Sequence, residues 1–502
     1  MGYFLRKVRT GSGATAVQIA HTRRGVQSII EHLGSAHDDA QLAVLVAIGR
    51  EKIAELNGQE TLDLESITPA ARPAPPGPTV TGSVSRVLWE VLEAAYARLG
   101  FDGMGNDTFR KLVLARIVEP TSKADTLRVL AELGVPGPSL STIWRTLARS
   151  IEQDWRGKAA AAAYAHATRG GPLTLVLYDV TTLYFEAENE DKLRKVGMSK
   201  ERRVDPQILV GLLVDAGGFP LEVHAFEGNK AETRTLLPVL SAFRERHQVT
   251  DLVVVADAGM LSAANLDALE DAGFRFIVGS RTSSAPHDLH PHFDRHGNLF
   301  DDGQTIETTR TMGAGSKARE RRVVWQYSRK REKRDNITLN KQIERAEKIA
   351  DGSKPMRRDR FVTVDGTTVG VNWGQIEKAR TWLGLKGYVT NIPVLTLDGL
   401  GVVAAYHDLF HVEASFRMAK TDLRARPMFA GTEDSIQAHL TVVFCALAIS
   451  RHLHATTGYT TRRIVRALRP LRDITINVGG HAITATTPPE GEATEILTKL
   501  HP

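Results

Sequence analysis

One cysteine, Cys445, in 502 residues excludes an internal disulfide and any thiolate zinc cluster within the chain. It sits in the apolar run LTVVFCALAIS, and a reducing cytoplasm is the compartment expected. Apolar leader segments are lacking too: the start MGYFLRKVRTGSG has no h-region, and Arg6 stands where a myristoylation pattern requires Ser or Thr. No stretch is expected to reach the length of a membrane span, so no membrane partner is expected. Charge of neither sign dominates. The 64 Lys and Arg against 58 Asp and Glu give a formal +6 and a pI near 9.3, which by itself leans only weakly toward an anionic partner such as nucleic acid.

With 42% hydrophobic residues the chain can bury a large core and is expected to divide into two to four modules. Its basic charge is concentrated. Between 317 and 360 there are 16 Lys and Arg against 7 Asp and Glu, a local excess larger than that of the whole protein, so the rest is slightly acidic.

Periodicity gives the organisation. Residues 1–68 read as a small α+β module, with short strands over TAVQIAHT and VQSIIEHLG and an amphipathic helix over AQLAVLVAIGREKIAEL. Five prolines from Pro69 to Pro78 mark a stiff linker over 69–82. Residues 83–168 have helical spacing. Within them TLRVLAELGVPGPSLSTIWRTLARS reads as helix, Gly/Pro turn and a second helix capped by Ser139 or Ser141, the pattern of a helix-turn-helix that would present Arg145 to DNA. An ordinary αα-hairpin uses the same turn chemistry and is an equal reading.

Over 169–284 the period changes to β-β-β-α-β-α-β, an α/β sheet. Residues 285–385 turn polar, basic and β-rich around a charged helix over KQIERAEKIA, and read as an insertion. Residues 386–460, from KGYVTNI through the helix over DSIQAHLTVVFCALAISRHLHA, resume the core, and 461–502 read as an appendage.

Two carboxylates stand out. Asp179 ends the first apolar strand of the sheet (LVLYDVTTLYFE) and Asp257 ends the fourth (LVVVADAGM), at the strand ends where α/β sheets collect ligands. A lone strand-end Asp is more often a cap than a catalyst, by about three to one. A third acid in a later core helix shifts those odds. In YHDLFHVEASFRMAK, Tyr406, Glu413, Arg417 and Lys420 are spaced 7, 4 and 3 apart and share one helical face between apolar flanks. Three carboxylates suit two Mg²⁺ ions about 4 Å apart, with Mn²⁺ able to substitute, one activating an attacking hydroxyl and the other stabilising the leaving oxygen of a phosphate. Arg417 and Lys420 would then grip DNA phosphates.

On the segments IVEPTSK, YDVTTLYFE, FEGNKAETRTL, ADAGMLSAANL, KGYVTN and YHDLFHVEASFRMAKTDLRARPMF, the chain resembles the DDE transposases of bacterial insertion sequences, specifically the insertion sequence 1634 family of the larger insertion sequence 4 group. The resemblance implies an RNase H-like mixed-sheet core interrupted by a β-rich insertion before the Glu-bearing helix. It implies Asp179, Asp257 and Glu413 as catalytic metal ligands, Tyr406 and Lys420 on transposon-end phosphates, and terminal inverted repeats read by the helical domain and N-terminal module. Hydrolysis would free a 3′-OH that then attacks target DNA, with a homodimer pairing the two ends and a cytoplasmic, nucleoid-associated location. The family's Tyr-Arg-Glu-Lys signature maps onto Tyr406, Leu409, Glu413 and Lys420, so one phosphate contact is missing at Leu409.

Rival readings are weaker. His407 and His411 approach the H-E-x-x-H of zinc proteases, but Asp408 is one methylene short of the required base and no third ligand is evident. A catalytically silent DNA-binding protein would have no need of three intact acids. The basic segment KARERRVVWQYSRKREKR reads as a phosphate track through Arg321, Arg322, Lys330 and Arg331, with Trp325 and Tyr327 available to stack on an unpaired base, or else as a solvated loop. Trp373 and Trp382 read as core. His439 reads either as a buried hydrogen-bonding residue or as a partner of Glu413.

Overall fold

The computed structural model describes residues 2–10, 14–23, 25–57, 79–186, 189–197, 205–260, 262–280, 287–313, 315, 318–355, 359–365, 368–426, 428, 430–478 and 481–500. The chain divides into two compact units, Met1–Gly77 and Pro78–Pro502.

In the first unit, β1 (Tyr3–Arg9), β2 (Thr15–Arg23) and β3 (Val26–Ala36) form an antiparallel sheet in that order, followed by α1 (Asp39–Leu56). Irregularities in the β2–β3 register at Val17/Gln18 and Ile19/Ala20 shift the alternation of β2, so that Ile19 and Ala20 are buried in succession. Asp38 starts α1 by accepting the Gln41 amide at 2.8 Å. Most of the proline-rich linker expected over 69–82 lies outside the described residues. Its end does not behave as a linker: β4 (Thr79–Val84) is a strand.

The second unit continues with α2 (Arg86–Arg98), α3 (Asp107–Val118), α4 (Thr126–Glu132), α5 (Leu140–Glu152) and α6 (Trp155–Ala167). The α4–turn–α5 pair falls where the helix-turn-helix pattern was read, and of the two cap candidates Ser139 accepts the Thr142 amide at 3.2 Å.

Next come β5 (Leu175–Tyr184), β6 (Gln207–Asp215), β7 (Pro220–Glu227), α7 (Leu236–His247), β8 (Val253–Ala256), α8 (Ala263–Asp271), β9 (Arg275–Gly279), α9 (His290–His296), β10 (Thr305–Met312) and β11 (Arg319–Tyr327). After them lie α10 (Arg329–Ala350), β12 (Val362–Asp365), β13 (Thr368–Val371), α11 (Trp373–Arg380), β14 (Leu385–Thr390), α12 (Gly399–His407) and α13 (Leu409–Arg417). A π turn over Met418–Asp422 extends α13. The chain ends with α14 (Glu433–Thr457), α15 (Thr461–Leu468), β15 (Asp473–Val478), β16 (His481–Thr486) and α16 (Glu492–Leu500).

One eight-stranded mixed sheet, ordered β10-β11-β14-β9-β8-β5-β6-β7, forms the centre. β5, β6 and β7 pair antiparallel, while β8 and β9 add in parallel beside β5. β6 is apolar on both faces and buried at every position before Asp215, because α7 covers one part of it and α13 another.

Three sequence expectations change on folding. The 285–385 block is not wholly separate: β10 and β11 complete the central sheet, and only α10, β12, β13 and α11 gather round a second small core of Leu339, Ile343, Ala346, Phe361, Ile376 and Ala379. The tail read as an appendage is tied into the second unit, since β15 pairs with β4 and α16 packs on α14. Lastly, α14 is by length and composition long and apolar enough to cross a membrane, contrary to the expectation that no stretch would be. Its most apolar window is 83% buried, because α2, α3, α5, α6 and the edge strand β7 all pack around it as a central core helix.

Candidate active site

The parallel pairing of β5 and β8 brings two of the predicted acids together. Tyr178 and Ala256 are the last pair in register, and Asp179 and Asp257 are the next residue on each chain, so the carboxylates stand at one level of the sheet. Asp179 does not end its strand as expected. β5 runs on to Tyr184 because it keeps pairing with β6, and only the neighbour β8 stops. Asp257 is exposed and Asp179 half-buried.

A helical run lies over this level, although not as the single α-helix expected over 406–420. α12 ends at His407, Asp408 turns the chain into α13, and the π turn carries Lys420. α12 packs on β8 and β9, and α13 on β5 and β6. The Tyr406 phenol donates to Oδ1 of Asp257 at 2.8 Å. Burial raises the pKa of that phenol, and the adjoining Asp257 charge raises it further, so Tyr406 stays protonated. The residue below the ring is Gly279, where a Cβ would stand 2.4 Å from the phenol oxygen. At the other end of the run, the Lys420 ammonium donates to Thr181 Oγ1. Thr181 shares a strand face with Asp179 two residues earlier. Glu413 and Arg417 lie between these contacts and are exposed.

Two further charged residues border the site that sequence reasoning passed over. Lys386 donates to the Ser280 carbonyl at 3.3 Å and lies 5.6 Å from the centre of the Tyr406 ring. Burial lowers its pKa, and the Asp257 charge opposes that shift. Glu232 reaches the chain just after Asp257: a Cβ on Gly259 would meet its Oε2 at 2.9 Å. Both residues stand in segments that carried the resemblance, KGYVTN and FEGNKAETRTL, and nothing but that placement marks them in the sequence. Lys386 also opens onto a cleft of about 470 Å³ lined by Ala258, Arg331 and Asp335.

The donor chemistry fits a hard divalent cation. Asp179 and Asp257 offer oxygens at one level, and the partner of Asp257 is a neutral phenol, not a cation. Among the described residues, however, no three His, Cys, Asp or Glu side chains stand close enough together to hold an ion. Glu413 is exposed and forms no such three-carboxylate set with the two aspartates.

The expected DNA contacts divide sharply. Arg321 is buried and paired with Asp267 at 2.5 Å and Glu270 at 2.8 Å, so it is a structural ion pair and not a phosphate contact. Trp325 is 1% exposed, with its indole N–H donating to Asp288 at 2.8 Å, and cannot stack on an external base. Tyr327 is buried likewise. Arg322 is spent on Glu307 at 2.7 Å and on the carbonyls of Ile392 and Leu397. These residues occupy β11, an interior strand, so alternate side chains turn inward and the track is broken. Lys330 is exposed and Arg331 half-buried on α10, and Arg145 is exposed on α5 beside Trp144.

Of the tryptophans expected in the core, Trp373 is 54% exposed at the first position of α11, while Trp382 packs against the second core. His439 is buried beside Arg116 and Lys123, its Nε2 without a partner among the described residues, and burial lowers its pKa strongly. His407 and His411 fall on different helices, α12 and α13.

The central sheet and both aspartates fall inside residues 170–449, which match the family model of the transposase DDE domain. No curated protein matches the chain in sequence. Among solved structures, a piggyBac transposase synaptic complex with hairpin DNA shares 9% identity over 78% of this chain and 81% of that one, with a TM-score of 0.37. A Mos1 transposase paired-end complex with the left transposon end shares 14% identity over 46% of this chain and 71% of that one, with a TM-score of 0.16. Overlaps of that extent carry no argument about function. The family match spans more than half of the 502 residues, and the chain belongs to the transposase DDE domain family.

Proposed function

We propose that this protein is the transposase of a bacterial insertion sequence, of the insertion sequence 1634 type. It would bind the terminal inverted repeats, hydrolyse one strand to free a 3′-OH and join that hydroxyl to target DNA. The observation that carries this reading is the pair Asp179 and Asp257, set at one level where β5 and β8 part and overlain by the helical run of Tyr406, Glu413 and Lys420. The strand sequence β7-β6-β5-β8-β9, three antiparallel and then two parallel, supports an RNase H-like core.

Asp179, Asp257 and Glu413 would hold two Mg²⁺ ions, or Mn²⁺ in their place, which when bound supply charge stabilisation to the attacking and leaving oxygens. Tyr406 orients the Asp257 carboxylate through its phenol. Lys420, anchored on Thr181, places a positive charge beside Asp179 where a strand phosphate would lie. Arg417, exposed between them, adds a second phosphate contact, and Arg145 on α5 reads the element end. A homodimer pairing two ends in the cytoplasm completes the reading.

The test is cleavage of an end-labelled duplex carrying the element's own terminus, with Mg²⁺ and with a chelator. A nick at the repeat boundary that disappears with chelator supports the proposal. Tight binding without any nick would instead make this a catalytically silent DNA-binding protein.

A further inference from the structure

We infer that the groove between the end of α3, the π turn and α15 is a second DNA-backbone site, which receives the strand as it leaves the acids. The inference rests on the transposase reading above and adds a surface to it.

The groove encloses about 900 Å³, and its lining contains five arginines, Arg424, Arg462, Arg466, Arg469 and Arg472, against two acids, Glu119 and Asp422. These arginines are of two kinds. Arg469 and Arg472 form a neutralised floor: Arg469 lies 2.5 Å from Glu132 and 3.0 Å from Glu119, and Arg472 lies 2.9 Å from Glu132. Arg424 and Arg466 are exposed and have no acidic partner among the described residues. Arg462, 3.3 Å from Asp422, keeps 69% of its side chain exposed. Arg462 and Arg466 are one turn apart on α15, whose opposite face buries Ile464 and Leu468, so both residues lie on the groove side.

Arg424 is held in place at a conformational cost. Its φ of +43° is left-handed, a region that glycine or asparagine occupies far more readily. The half-buried Arg116 guanidinium pins the turn by donating to the carbonyls of Leu423 at 2.8 Å and Arg424 at 2.6 Å. Arg116 is itself pushed down to about 10, first by burial and then by the Arg424 charge, a like-charge crowding that an anion in the groove would relieve.

Position decides the occupant. The same π turn that holds Lys420 on Thr181, beside Asp179, continues through Asp422 to Arg424 at the groove wall. A polyanion that begins at the acids and extends along this wall meets guanidinium forks in succession, which matches repeated phosphates. Such contacts carry no base sequence.

The test is fluorescence anisotropy with a labelled duplex of unrelated sequence, titrated across a salt series, on the full chain and on Arg424→Asn/Arg466→Ala. Asparagine tolerates the left-handed backbone, and Arg466 is exposed, so the melting temperature stays unchanged. The expected result is affinity lower by about tenfold per arginine and a plot of log affinity against log salt shallower by about two. Arg466→Lys alone retains the wild-type slope. An unchanged slope in the double variant, with wild type still binding and nicking DNA, overturns the groove and leaves the transposase reading standing. If wild type binds no duplex at all, both fall together.

Discussion

The phenol of Tyr406 donates a 2.8 Å hydrogen bond to Asp257, a residue 149 positions earlier in the chain. That contact closes α12 onto the end of β8, and it depends on Gly279, whose missing side chain leaves room for the ring. Tyr406→Phe keeps the ring and removes the donor. Hydrogen bonds to charged groups are worth about 1.5–3 kcal/mol, so strand cleavage falls roughly 10- to 150-fold while duplex binding changes little. Gly279→Ala gives a comparable loss by displacing the ring, since Gly279 is held in register with Tyr388. Wild-type cleavage by Tyr406→Phe, measured on the labelled terminus, would show that the residue only packs.

Lys420 is placed by Thr181, which supplies an acceptor and no charge. Lys420→Met removes the charge and lowers cleavage steeply. Thr181→Val removes only the acceptor, and the account predicts a smaller loss that high substrate concentration does not restore, because the lysine is misplaced and not missing. Equal losses in the two variants would contradict a positioning role for Thr181.

Arg321 gives a prediction opposite to that of its sequence context. Its side chain is 1% exposed between Asp267 and Glu270. Removing one member of a buried pair strands the others, so Arg321→Ala destabilises the fold by about 3–5 kcal/mol. DNA affinity of the folded fraction stays near wild type. Denaturant unfolding and anisotropy on the same preparation separate the two effects.

Acid weakens this fold through its histidines. Burial pushes His247 and His452 down to about 4, and for His452 the neighbouring His166, Arg98 and Arg169 add to the shift. The unfolded chain, with histidines near 6.5, therefore binds more protons between those values. Stability is full above about pH 6.5 and is lost as pH falls toward 4. Denaturation midpoints at pH 7.5 and pH 5 measure the loss, and His247→Asn/His452→Asn flattens the difference. An unchanged difference in that variant assigns the acid sensitivity to other groups.

How much of this was legible depended on whether local pattern or distant pairing set each feature. Apolar runs showed β5, β6, β8 and β9, and the Gly/Pro turn showed α4 and α5, because those elements follow from spacing and caps in their own sequence. The extent of β5 past Asp179 was hidden, since it is set by pairing with β6 residues 23 to 31 positions away. Charge composition misled at Arg321 and Trp325. A run of basic residues looks solvated until β11 is placed between β10 and β14, where alternate positions must turn inward. The length of the apolar helix α14 was underestimated as well: no stretch was expected to reach a membrane span, yet α14 does so by length and composition, with its most apolar window buried among neighbouring helices. Glu413 is the reverse case: its spacing from Tyr406 and Lys420 marks it, yet it stands exposed and apart from the aspartate pair.

That separation makes Glu413 the place to test the central claim, that Asp179, Asp257 and Glu413 act as one catalytic set. The measurement is Mg²⁺-dependent nicking of the labelled element terminus by Asp179→Ala, Asp257→Ala and Glu413→Ala at matched DNA occupancy. The account predicts that each substitution alone abolishes nicking while binding survives. Persistent nicking by Glu413→Ala, with both aspartate variants inactive, would contradict it and leave the aspartate pair without this third ligand.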